Sequence, residues 1–141
     1  MEYRRFGNRV IVRIERGEEV MEQLACVVEE EKIRLGSVSG IGACDYLECG
    51  VYDTDAKKYH LHKMTGPMEI TSLNGNITVM NDMPYLHLHI NICDEEQKAY
   101  GGHLNLCKIS GTCELFIDVL DGSVDRELDP RTGTGLNVFR F

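Results

Sequence analysis

The sequence predicts an α+β fold, a mainly antiparallel β-sheet with one principal flanking helix. Two observations carry that reading. Only one stretch, near the start, repeats its apolar residues at helical spacing. From Gly36 onward the chain runs instead through short alternating stretches separated by turn residues. Alternation is what a strand requires, because successive side chains point to opposite faces of a sheet. No linker or low-complexity stretch breaks the pattern, so a single domain over residues 1–141 is expected.

The elements follow in order. Residues 8–15 alternate, with Val10, Val12 and Ile14 on one side, and read as a strand that Gly17 ends. Glu18 and Glu19 then open a helix, since the partial positive charge at a helix N-terminus favours acids. Val20, Met21, Leu24, Val27 and Val28 form its apolar stripe, and Cys26 reads as a small hydrophobe within it. Gly36 is the expected stop, which places the helix over residues 18–34. Strands are expected over 37–43, 47–53, 59–64, 69–79, 85–93, 102–120 and 136–141. Turns are expected at Asp53-Thr54-Asp55, Gly66-Pro67, Asn81-Asp82-Met83-Pro84 and Asp129-Pro130.

Composition narrows the function. The net charge is −8, and DNA binders draw their general affinity from Lys and Arg, so direct nucleic-acid binding is doubtful. Arg4, Arg5, Arg9 and Arg13 alternate between faces and read as solvated strand and edge charges. The longest apolar run, Leu24 to Val28, is far short of the ~20 residues a membrane span needs. The first residues lack the apolar core of a signal peptide, and a cytoplasmic location is expected. Six cysteines stand at 26, 44, 49, 93, 107 and 113 with no CxxC spacing, and read as free thiols used for packing.

Ser39-Gly40-Ile41-Gly42-Ala43 has the look of a phosphate loop, but no helix follows it and no Gly-Lys-Ser/Thr is present. Close glycines in a strand mark a bulge or a close backbone approach, which is the reading kept here. Nucleophile elbows and His-Glu-x-x-His helices are absent.

The stretch from Tyr85 to Cys93 is more informative. Alternation sets Leu86, Leu88, Ile90 and Ile92 on one face and Tyr85, His87, His89 and Asn91 on the other. Asp94 to Lys98 supplies a polar connection, and Gly101-Gly102-His103-Leu104-Asn105-Leu106 reads as the returning strand. With His89 opposite His103, Leu104 faces Leu88, Leu106 faces Leu86, and Asn105 faces His87. A slip by one residue would set leucines against histidines. This register gathers His87, His89 and His103 on one surface, as ligands for one divalent transition metal. Neutral imidazoles suit zinc, iron, nickel or copper, with zinc first among them. His60 and His62 share a face but have no third ligand, and read as surface residues. Glu69 opens a long alternating strand and reads either as an edge carboxylate or as a pocket acid near the histidines.

These pieces, Gly40-Ile-Gly42, Gly66-Pro-Met-Glu-Ile-Thr-Ser-Leu-Asn-Gly-Asn-Ile77, Leu86-His-Leu-His89 and Gly101-Gly-His-Leu104, follow a familiar order and spacing. From about Tyr3 to about Leu120 the chain resembles the plants-and-prokaryotes conserved (PPC) domain. The resemblance implies an antiparallel sheet with a flanking helix, assembled as a homotrimer. It also implies a metal held by the histidines matching His87, His89 and His103, as in some prokaryotic members. In the plant branch the region matching Glu69 contacts partner proteins, and a separate hook contacts DNA. This chain lacks that Arg-Gly-Arg-Pro hook, and it has Gly-Pro-Met-Glu where plant members have Gly-Arg-Phe-Glu.

The function expected is a homotrimeric binding or regulatory module with a three-histidine metal site, Glu69 and Asn105 serving as pocket or partner contacts. The rival reading is a metal-dependent enzyme, a hydrolase or lyase acting on a small molecule. DNA binding by analogy with plant members is third.

Overall fold

Alternation becomes strand along most of the chain. The computed structural model describes residues 1–141, with strands β1 (Glu2–Phe6) and β2 (Arg9–Glu15), helix α1 (Val20–Glu30), then β3 (Gly36–Asp53), β4 (Lys58–Met80), β5 (Met83–Asp94), β6 (Ala99–Val119), β7 (Asp125–Leu128) and β8 (Asn137–Arg140). The α+β class with a mainly antiparallel sheet is what forms: every pairing is antiparallel and there is one helix.

Two pairs of expected strands are single long strands. The stretches 37–43 and 47–53 belong to β3, whose register shifts at Gly40/Gly42 and at Cys44/Tyr46. Inward residues are even-numbered up to Cys44 and odd-numbered from Leu47, so the shift at Cys44/Tyr46 moves the alternation out of phase and one strand reads as two. A Cβ on Gly42 would lie 2.5 Å from the Thr112 carbonyl oxygen, so the close-approach reading of this glycine pair holds. In β4, Gly66-Pro67 is a bend within the strand, with Gly66 at φ +112°, and not a turn between strands. The next turn is shorter than expected. Asn81 and Asp82, both at positive φ, make a two-residue hairpin, and Met83 and Pro84 already belong to β5. The short strands β1 and β7 lie outside the stretches that alternation marks as strands.

The helix is shorter than residues 18–34. Glu19 caps it, accepting from the Glu22 amide at 2.8 Å with one carboxylate oxygen. Its other oxygen accepts from the Cys107 amide at 2.8 Å, which ties the helix start to β6. At the far end Ile33 N–H donates to the Val28 carbonyl and Lys32 N–H to the Glu29 carbonyl, with Lys32 at φ +54°. That is a Schellman ending with Lys32 in the place glycine usually takes, so Gly36 is not the stop. Gly36 instead starts β3, where a Cβ would sit 2.8 Å from the Asp118 carbonyl oxygen.

Val20, Leu24, Val27 and Val28 are fully buried, each worth roughly 1.5–3 kcal/mol of apolar burial if a large side chain is counted. Cys26 is exposed, contrary to its expected place in the stripe. It lies two residues from both Leu24 and Val28, roughly 200° around the helix and so on the far face.

The strand order is β1-β2-β6-β3-β4-β5, with a further pairing of β5 to β6 that closes four strands into a ring. Strand β6 makes this possible by sharing one edge. Its first part, from Ala99 to His103, pairs with β5, and its second, from Thr112 to Asp118, pairs with β2. Twenty-five buried residues form the core, among them Leu47, Leu73, Leu88, Ile90, Leu104 and Ile109, and α1 packs on β6 and β5. The arginines of β1 and β2 are surface charges, and three of the four are paired with acids: Arg5 with Glu31 at 2.9 Å, Arg9 with Asp118 at 2.6 Å, Arg13 with Glu15 at 2.8 Å. No helix is long and apolar enough to cross a membrane.

Candidate metal centre

Strand β5 turns Leu88, Ile90 and Ile92 into the core and leaves His87 and His89 on the outer face. His103 reaches them from β6 because two glycines precede it. A Cβ on Gly101 would meet the Asn91 side-chain oxygen at 2.4 Å, and one on Gly102 would meet the Gly50 carbonyl oxygen at 2.4 Å. Only glycine lets β6 lie this close to both β5 and β3. The expected register holds, with His89 directly opposite His103.

It holds no further. The pairing of β5 with β6 ends at that row, and Leu104 is already matched to Cys49 of β3 and Leu106 to Glu48. The expected pairings of Leu104 with Leu88, of Leu106 with Leu86 and of Asn105 with His87 are therefore not made. The cause is the ring closure: beyond His103 strand β6 follows β3 and β2, while β5 stays with β4. Asn105 is exposed, and its side-chain oxygen accepts from the Tyr59 hydroxyl, which also lies 3.0 Å from the His103 carbonyl oxygen.

The parting strands do not separate the histidines. Ring centroids are 5.1 Å apart for His87 and His103, 5.3 Å for His87 and His89, and 5.6 Å for His89 and His103. One nitrogen from each ring lies within 4.8 Å of the other two. Tetrahedral zinc with bonds of about 2.1 Å sets its ligand nitrogens ~3.4 Å apart, so each must move inward by at most about 0.8 Å. Side-chain rotation covers that. His87 and His103 are half-buried and His89 is exposed. Burial pushes His87 down to about 4, helped by His103 and by Arg126, and it also lowers His103. Both are therefore neutral at pH 7, the form that ligates a metal. Three nitrogen donors of this kind fit a borderline transition metal and not calcium or magnesium.

The β4 side chains across from the two β5 histidines are neutral and polar. Asn76 stands across from His87 on β4, and Asn74 across from His89. Arg126 of β7 donates to the Asn76 side-chain oxygen at 2.8 Å. Sequence reasoning missed Arg126 and Tyr59, because neither sits in a patterned stretch beside the histidines.

Glu69 is not at this centre. It pairs with Cys93, four residues along β5 from His89, and lines a separate shallow groove with Ile41, Thr112 and Glu114. His60 and His62 are exposed and outside the cluster. A groove larger than the one beside Glu69, about 920 Å³, opens between the hairpin ends near Val51, Lys63, Glu96 and Tyr100 and does not include the three histidines. The cysteines are free, and burial pushes the Cys113 thiol up to about 12, which suits packing and not reactivity.

The family model of the Plants and Prokaryotes Conserved (PCC) domain matches residues 1–121. The chain belongs to this family. A crystal structure described as a "putative dna binding protein" from Bacteroides thetaiotaomicron is 33% identical, with TM-score 0.95 over 99% of this chain and 96% of that one. A metal-containing protein from Archaeoglobus fulgidus is 30% identical, with TM-score 0.88 over 99% of this PPC chain and 97% of its own. A plant- and prokaryote-conserved protein from Pyrococcus horikoshii, at 24% identity and TM-score 0.84 over 99% and 94%, shares the fold. No curated protein matches the sequence.

Proposed function

We propose that this PPC chain binds one divalent transition metal, zinc most readily, through His87, His89 and His103, within a homotrimeric binding or regulatory module of single-domain chains. The observation that carries the proposal is the convergence of three imidazole nitrogens within 4.8 Å. The metal-containing relative from Archaeoglobus fulgidus supports it. When bound, the metal would supply a Lewis acid with one open coordination position. The residues hold it from two strands whose spacing the glycines of β6 set.

The open position is also what favours a second reading, a metal-dependent hydrolase or lyase acting on a small molecule. That reading needs a base, and this chain offers no carboxylate in the cluster; Glu69 lies in another groove. A binding module is therefore preferred. Direct DNA binding, by analogy with the relative from Bacteroides thetaiotaomicron, is disfavoured by the −8 charge and by the pairing of Arg5, Arg9 and Arg13 with acids.

Elemental analysis of the purified protein tests the proposal. About one metal per chain, from the cells or after reconstitution at neutral pH, is expected for a three-ligand site. Absence of stoichiometric metal under both conditions would refute it.

A further inference from the structure

Beside the histidines lies a cation with no anion. Arg126 is 6% exposed, yet none of the nine ion pairs in the chain includes it. Its sequence neighbour Asp125 is engaged with Arg140 instead, at 3.4 Å. The guanidinium is held by neutral groups alone: Nε donates to Thr78 Oγ1, Nη1 to the Asn137 carbonyl and Nη2 to Asn76 Oδ1, each at 2.8 Å. Its central carbon lies 4.6 Å from the ring centres of Tyr85 and of Phe139. Buried arginines ordinarily face a carboxylate, because an uncompensated charge away from water is costly.

Pinning the β7–β8 hairpin to the sheet explains only part of this. A guanidinium has five N–H groups in a rigid fork, and three are used here. The cation also stands close to the metal centre. Asn76, which receives Nη2, is the cross-strand partner of His87, and such partners lie about 5 Å apart. Around it the side chains of Asn74, Asn76, Thr78, His87 and His89 carry no negative charge. With three neutral imidazoles, a divalent ion keeps its full charge. The outer face then presents two cations in a row and nothing to offset them, on a chain whose net charge is −8.

We propose that Arg126 makes this centre a receptor for a small carboxylate, which takes the open metal position while its negative charge is met by the guanidinium. The inference rests on the metal reading above and names its ligand. A carboxylate is the anion that matches both partners: it ligates borderline metals through oxygen and pairs with the planar fork of an arginine. Arg126 lies beyond the residues matched by the family model, in the C-terminal hairpin, so that hairpin brings the ligand preference to the site.

The test uses the full chain loaded with cobalt(II), whose visible spectrum reports ligand exchange, and the probe is malonate. Metal content is measured first, for every variant and again after titration, so loss of the metal site is read separately from loss of anion binding. Wild-type protein is expected to show a saturable spectral change with malonate. Arg126→Gln should keep its cobalt and bind malonate on the order of tenfold more weakly or worse, the scale of one charged hydrogen bond. Should that variant fail to fold, Asn76→Asp serves instead. It is isosteric, keeps the bond to Arg126 and supplies the missing anion from within, and it should weaken malonate to a similar degree. Cobalt-loaded wild type that ignores malonate, or prefers inorganic phosphate, overturns the proposal. So do variants that bind malonate as tightly as the wild type.

Discussion

His89 and His103 face each other across the last paired row of β5 and β6, and beyond that row the strands part. Along that edge β6 trades one neighbour for another, pairing with β5 up to His103 and with β2 from Thr112 onward. The pairing with β5 ends at His103, so His87 lies beside the gap, with a cross-strand partner on β4, Asn76, and none on β6. The shortest of the three ring separations, 5.1 Å, is the one between His87 and His103. The centre is a by-product of how the sheet closes, lined with histidine.

The first prediction concerns the ligands. Replacing His103 with Ala should abolish stoichiometric metal binding, because two imidazoles two residues apart on one strand hold a divalent ion weakly. The fold should survive, since Leu104 and its apolar neighbours are untouched. Replacing exposed His60 should leave metal content unchanged. Elemental analysis of the three proteins, with circular dichroism as a control, decides it; metal retained by the His103 variant would count against the site.

Gly102 gives the second. An alanine there would place its Cβ 2.4 Å from the Gly50 carbonyl oxygen, so β6 must move away from β3. Overpacking of this kind costs roughly 1–3 kcal/mol. His103 is the next residue, so metal affinity should fall together with the denaturation midpoint. A Gly102→Ala protein with wild-type stability and metal content would show that the close approach is not what sets the site.

How much of this was legible beforehand can be judged on particular residues. Leucines and histidines alternate without interruption from Leu86 to Ile90, so the faces of β5 and the His89–His103 row followed from period alone. The end of that row did not, because it depends on β6 exchanging β5 for β2, a long-range choice that leaves no mark on local alternation. The shift at Cys44/Tyr46 hid the continuity of β3 in the same way, by moving its pattern out of phase. The Schellman ending at Lys32 defeated the usual glycine signal. Arg126 sits in a four-residue strand too short to show a pattern, and its importance appears only when Thr78 and Asn76 come to it.

The third prediction is the oligomer. Light scattering should give three times the 16.0 kDa chain mass at micromolar concentration. Family resemblance motivates it, as does the outer sheet face, where Ile41 and Phe116 are 58% and 49% exposed and want cover. A monomer under those conditions would refute it.

The fourth addresses DNA. The isolated chain should bind duplex DNA weakly, without sequence preference, and lose that binding as salt rises, since phosphates are repelled by a net charge of −8. Sub-micromolar, sequence-selective binding at physiological salt would contradict it.

The fifth turns on pH. In an unfolded chain histidine titrates near ~6.5, whereas burial holds His87 down to about 4 and lowers His103 as well. Between those values the unfolded state carries more protons than the folded one, so stability rises with pH across the window and falls as pH drops through it. Both rings are partly solvated, which keeps the effect modest. The same low values delay proton competition for the ligands, so metal should persist below the ~6.5 at which free histidine begins to protonate. Thermal midpoints of metal-free protein between pH 7.5 and 4 provide the measurement, compared with His87→Asn, whose side chain does not titrate. Carboxylates contribute the same slope to both proteins, so the difference between them isolates the imidazole. The wild type should lose stability more steeply than the variant on the acid side of pH 6.5. Identical slopes would mean that His87 is not held neutral by its surroundings, and the metal-loaded protein would then release its ion near the ordinary histidine range.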